Sequence, residues 1–291
     1  MTQIVLQHYE KPAARRHLWV GLVMAVVALA FGIEQAAAWL AAHPMAARGL
    51  EASLLAGAAT GLGALPILML RRPSERLMAP MLGLAGGMML AASLFSLLVP
   101  AVQTVAASDM PWALGIATAA ALLAGVGAMQ TLDRRLPHEH VEEVESSGMR
   151  PNVALVVTAI AIHNVPEGLA VGVAAAAGAD HGMSLGIAIQ NVPEGWIVAS
   201  AMLALGAAPL RAALIALGTG LVEPVGGLFG VIASTVAGAA LPLALAAAAG
   251  AMLWVVSHEM IPASHKPGRI GAGTAGLAAG FAVMTALASV F

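Results

Sequence analysis

Residues 152–174 read NVALVVTAIAIHNVPEGLAVGVA, an apolar run of the roughly 20-residue length that crosses a bilayer as a helix, with the polar hexapeptide HNVPEG at its middle. Working outward, further apolar runs of spanning length lie at 18–40, 50–70, 77–100, 111–132, 184–205, 209–236, 240–258 and 270–290, so nine helices are expected. Backbone polar groups in lipid need partners within their own segment, and uninterrupted runs of this length suit helices rather than alternating barrel strands. Composition agrees: 60% of the 291 residues are apolar, only 10% are charged, and mean hydropathy is +0.88. A soluble domain, with about 25% charged residues, would have no means of covering that much apolar surface. The expected fold class is an all-α integral membrane protein, one polytopic domain over 1–291.

The opening MTQIVLQHYEKPAARRH is too polar and too long before its first apolar run to resemble a cleaved secretory signal, so the first helix is expected to be retained. Charge then orients the chain. Lys11, Arg15, Arg16, Arg71, Arg72, Arg76, Arg134, Arg135, Arg150, Arg211, Lys266 and Arg269 fall in one set of loops and helix ends, and of the 13 cations only Arg48 falls in the other. By the positive-inside rule the N-terminus is cytoplasmic and the C-terminus external. The loop at 133–151 is then cytoplasmic, and its His138, Glu139, His140, Glu142, Glu143 and Glu145 read as a solvated connector or a loose metal tether. With no Cys there is neither a disulfide framework nor a thiolate metal site, and a net charge of −2 points to no nucleic acid.

Against this background four side chains stand out. An ionisable group near the bilayer centre costs about 2.5 to 3.5 kcal/mol on insertion scales, which makes each a functional candidate. His163, Glu167, Glu194 and Glu223 all lie within a few residues of the middle of their runs. Their surroundings repeat: HNVPEG at 163–168 and QNVPEG at 190–195 match at five of six positions on successive, oppositely directed helices. Residues three and four apart share a helix face. His163 therefore aligns with Glu167 and Gln190 with Glu194, while Asn164 with Glu167 and Asn191 with Glu194 form an adjacent row. The two glutamates belong to both rows, so two neighbouring cation positions are available.

Pro166 and Pro193 each remove a helical N–H and displace the carbonyl four residues earlier, at Ile162 and Ile189. Broken helices are therefore expected there, and a third at Glu223-Pro224; such breaks at midplane depth point to a transporter binding site. Interhelical hydrogen bonding with proline kinks explains one Asn or one kink. It does not explain three carboxylates, a histidine and a near-duplicate motif. Imidazole, carboxylate and amide donors suit Zn2+ first, with Cd2+, Fe2+ and Mn2+ as further substrates, and no organic cofactor is expected.

The paired motifs and the Glu-Pro of the next span resemble the metal-binding helices of the ZIP (Zrt-, Irt-like protein) family of divalent metal transporters, bacterial branch. The resemblance covers essentially the whole chain and implies an eight-helix bundle over 46–291, preceded by a cytoplasmic tail and an additional helix over 1–45. It implies uptake into the cytoplasm through a binuclear site. His163, Glu167, Gln190 and Glu194 would form the first position, with Met89 of GGMMLAA as a weak thioether contributor. Asn164, Glu167, Asn191, Glu194 and Glu223 would form the second. Some bacterial relatives carry Asp where this chain has Asn191, and losing that carboxylate should weaken the second position. His258 and Glu259, in VVSHEMIP, would be ligands at the cytoplasmic exit.

The implied mechanism is alternating access, with the motif helices and residues 50–70 moving as a unit against the rest. Gly57, Gly61, Gly63, Gly218, Gly220, Gly226, Gly227 and Gly230 supply small surfaces for close helix contact. Outside the bilayer, Asp109, Asp180 and His181 would attract cations. The expected partners are divalent metal ions and the lipid bilayer of a bacterial inner membrane, and a homodimer is compatible with this reading. Two rivals come from other classes. An intramembrane metalloenzyme would use the H-x-x-x-E of His163 and Glu167, but H-E-x-x-H is missing and no general base stands outside the ligand set, so the chain is read as no enzyme. A proton or cation channel would use the carboxylates as a relay.

Overall fold

The computed structural model describes residues 24, 34–35, 37–69, 75–135, 153–176, 178, 180–236 and 241–290. Among these the regular structure is helical throughout. Residues 1–47 and 48–291 form separate compact units. In the first, the described residues include a short helical stretch over 37–42, where His43 Nδ1 meets the Trp39 carbonyl at 2.7 Å and the Trp39 and His43 rings stack. Most of the additional N-terminal helix, the cytoplasmic tail, Arg71, Arg72 and the loop residues His138 to Arg150 lie outside the described residues.

The remaining helices are α1 (Pro44–Ala64), α2 (Glu75–Ala91), α3 (Val99–Ala106), α4 (Pro111–Arg135), α5 (Val153–Ala176), α6 (Asp180–Ala204), α7 (Pro209–Gly220), α8 (Glu223–Val236), α9 (Leu241–Val255), α10 (Ile261–Ser264) and α11 (Ile270–Val290). Joined across their short irregular turns, they give six stretches long and apolar enough to cross a membrane: Pro44–Leu68, Arg76–Ala106, Pro111–Arg135, Pro209–Ala233, Leu241–Ser264 and Ile270–Val290. The motif-bearing α5 and α6 are 24 and 25 residues long. At 1.5 Å per residue each exceeds the roughly 30 Å of a hydrocarbon core.

Two of these stretches run further than their apolar runs suggest, and for one reason. Between α2 and α3, and between α9 and α10, the chain widens into π-helical turns at Ala92–Leu98 and Val256–Met260. Each is followed by a proline, Pro100 or Pro262. A proline ring pushes on the carbonyl four residues back, and the helix passes it by adopting bonds across five residues instead. Val99 N–H donates to the Leu94 carbonyl and Ile261 N–H to that of Val256. By contrast, the helix is continuous through Pro166 and Pro193. The break expected at those two positions is absent, as membrane bundles tolerate a proline inside a helix where surrounding groups satisfy the freed carbonyl. The third break is present: α7 ends at Gly220, Leu221 and Val222 form a turn, and α8 starts at Glu223.

Glycines set the closest helix contacts. A Cβ on Gly57 would overlap the Gly220 backbone, on Gly63 that of Val192, on Gly195 that of Thr60, and on Gly168 that of Glu223. These contacts join α1 to α6 and α7, and α5 to α8. A separate series joins α2 to α11 through Gly83, Gly87, Gly276 and Gly280, and α4 to α9 through Gly125 and Gly250. None of these backbone contacts crosses from the motif group (α1, α5 to α8) to the flanking group (α2 to α4, α9 to α11). Across the divide Gly186 of α6 faces the Met284 sulfur of α11, and Met284 lies in a buried cluster with Met88, Met89, Met183 and Met252. Of the glycines expected at contacts, Gly218 is a correction, because nothing approaches within 4 Å of its added Cβ.

Candidate metal site

The motif helices place their polar residues inside the bundle because the two PEG glycines let the backbones touch. Gly168 rests on the Glu223 carbonyl and Gly195 on that of Thr60, so Glu167 and Glu194, one residue earlier, are carried inward. Asn164, Glu167, Gln190, Asn191 and Glu223 are all at most 1% exposed. Glu194 is half-buried and lies within electrostatic reach of His163, Glu167 and Glu223.

The buried groups are joined in pairs. Gln190 Nε2 donates to Glu167 Oε1 at 2.6 Å, linking α6 to α5. Asn191 Nδ2 donates to Glu223 Oε1 at 2.6 Å and to the Ala56 carbonyl at 2.7 Å, linking α6 to α8 and α1. His163 Nε2 lies 2.6 Å from Glu259 Oε1, which ties the motif group to the flanking group. Five further atoms here are buried with no hydrogen-bond partner: Asn164 Nδ2 and Oδ1, Glu167 Oε2, Asn191 Oδ1 and Glu223 Oε2. Lone oxygens of this kind are costly in a low-dielectric interior, and a cation is one means of satisfying them.

As these pairs stand, no group of three or more His, Asp and Glu side chains among the described residues converges tightly enough to hold a metal. The side chains expected in two ligand rows are engaged pairwise instead: Glu167 with Gln190, Glu223 with Asn191, and His163 with Glu259. Met89 is buried in the apolar cluster that also contains Ile162, the residue before His163. The π turn parts the expected exit ligands, since Glu259 meets His163 while the exposed His258 stacks on Trp254 with ring centroids 4.6 Å apart. The loop residues His138, Glu139, His140, Glu142, Glu143 and Glu145 lie outside the described residues.

Two parts of the site escape sequence reasoning. The Ala56 carbonyl is a backbone atom in an unremarkable alanine-rich run. The His163–Glu259 pair depends on a π turn whose only sequence trace is Pro262. The role of Gly168 and Gly195 was legible in principle, as the one small residue shared by both motifs.

Residues 131–288 match the family described as ZIP zinc transporter. The chain is 47% identical over 247 residues to the zinc transporter GufA of Myxococcus xanthus, covering 82% of this chain and 97% of that protein. It is 46% identical over 250 residues to the zinc transporter ZIPB of Bordetella bronchiseptica, covering 78% and 76%. It is 34% identical over 221 residues to the zinc transporter ZupT of Escherichia coli, covering 72% and 84%.

Proposed function

Because this chain belongs to the ZIP family of zinc transporters, we propose that it carries Zn2+ across a bacterial inner membrane into the cytoplasm through the donors around Glu167. Cd2+, Fe2+ and Mn2+ are secondary substrates of the same donor set. The observation that carries this reading is the group of buried, unpartnered oxygens on α5, α6 and α8, beside the His163–Glu259 pair. His163, Glu167, Gln190 and Glu194 hold the ion, with Met89 as a weak sulfur donor. Asn164, Asn191 and Glu223 line the adjacent position, and His258 and Glu259 receive the ion toward the cytoplasm.

Membrane placement follows the cation distribution: nine spans, with the N-terminus inside and the C-terminus outside. Access alternates as the motif group shifts against the flanking group. Supporting this are the glycine contacts, which hold each group together internally, and the methionine-rich side-chain contact between them. Unbranched thioethers repack with little cost. An ion arriving at His163 displaces Glu259, which couples loading to release of one group from the other.

The test is zinc flux into sealed proteoliposomes. Saturable uptake is expected for the native chain, and loss of at least about 90% of it for His163→Ala and for Glu167→Ala, on the scale of losing a metal ligand. Undiminished uptake in both variants rejects the site.

A further inference from the structure

Two adjacent amides on α6 face two different carboxylates, and they are not equivalent. Gln190 donates to Glu167 Oε1 alone, whereas the Asn191 nitrogen sits 2.6 Å from Glu223 Oε1 and 2.7 Å from the Ala56 carbonyl. A backbone carbonyl only accepts hydrogen bonds, and so does an ionised carboxylate. The Asn191 atom between them must therefore be the N–H2 group, and the amide's orientation is dictated by chemistry rather than by convention. Its oxygen is turned out of that gap and is buried without a hydrogen-bond partner.

For Gln190 to present its oxygen to a cation beside Glu167, a half-turn of the amide gives up one hydrogen bond. The same turn at Asn191 gives up two and sets an oxygen against two oxygens. Gln190 can therefore switch from donor to ligand, and Asn191 is held as a donor.

We propose that the Asn191 N–H2 group occupies, between Glu223 and Ala56, the place of a second cation, so that the site carries one ion at a time. The inference rests on the metal site proposed above and decides how many ions that site takes. Glu223 is then the partner of Asn191 rather than a ligand of the transported ion. An aspartate at 191 removes the donor and leaves two carboxylates and a carbonyl around one gap, an arrangement that calls for a cation.

The experiment counts zinc bound to the purified full chain after equilibrium dialysis, relative to the double variant His163→Ala, Glu167→Ala, which subtracts ions held elsewhere. The expected counts are one for the native chain and two for Asn191→Asp. A native count of two overturns the proposal, as does a count of one in a folded Asn191→Asp protein. If the aspartate variant does not fold, the native count decides alone. A native count of zero rejects the metal site itself and is thereby told apart from a failure of the Asn191 assignment.

Discussion

Glu167 and Glu223 each keep one carboxylate oxygen on an amide N–H and leave the other without a hydrogen-bond partner. His163 is engaged instead with Glu259, and an incoming ion must compete with that contact. Hydrogen bonds to charged groups contribute about 1.5 to 3 kcal/mol, and a factor of ten in affinity is about 1.4 kcal/mol. Glu259→Gln keeps the shape and removes the charge, so zinc is expected to bind about tenfold more tightly when titrated calorimetrically against the purified protein. A weaker affinity would place Glu259 among the ligands of the loaded site. At this scale His163, Glu167, Glu194 and Glu223 were legible because an ionisable group in an apolar run is conspicuous. Their pairing was not: Glu259 is expected as an exit ligand at a helix end, and only the folded backbone brings it to His163.

Two kinds of helix irregularity follow from proline, and sequence alone does not separate them. Pro100 and Pro262 follow π turns, whereas Pro166 and Pro193 stand within continuous helix. Glycine is more decisive. Gly168 and Gly195 touch the backbone of another helix, while Gly218 has open space around it. Overpacking costs about 1 to 3 kcal/mol, so Gly168→Ala and Gly195→Ala are expected to lower the unfolding midpoint of the detergent-solubilised protein by several degrees. Gly218→Ala is expected to leave it unchanged or slightly raised, because alanine is the better helix former. Equal losses at all three positions would count against these contacts. The helices themselves were legible from apolar run length, though their ends were not, since π turns carry α2 into α3 and α9 into α10.

For the molecule as a whole, the division into motif and flanking groups makes a prediction about motion. The chain has no native cysteine, so an introduced pair supplies its only thiols. Gly186→Cys with Met284→Cys spans the two groups, and Gly61→Cys with Leu217→Cys lies within the motif group. Bridging the first pair with a short bis-thiosulfonate reagent is expected to arrest zinc flux, reversibly on reduction, and bridging the second to leave it largely intact. Equal flux after both treatments would place the moving boundary elsewhere. That boundary was only partly legible, because small residues advertise close contact without naming the partner helix. In the alternating cycle proposed above, the carrier also makes its journey back without cargo, with its carboxyl groups still buried. The side-by-side amides of Gln190 and Asn191 act there as a resident solvent for Glu167 and Glu223: one turns aside when freight arrives, and the other stays at its post.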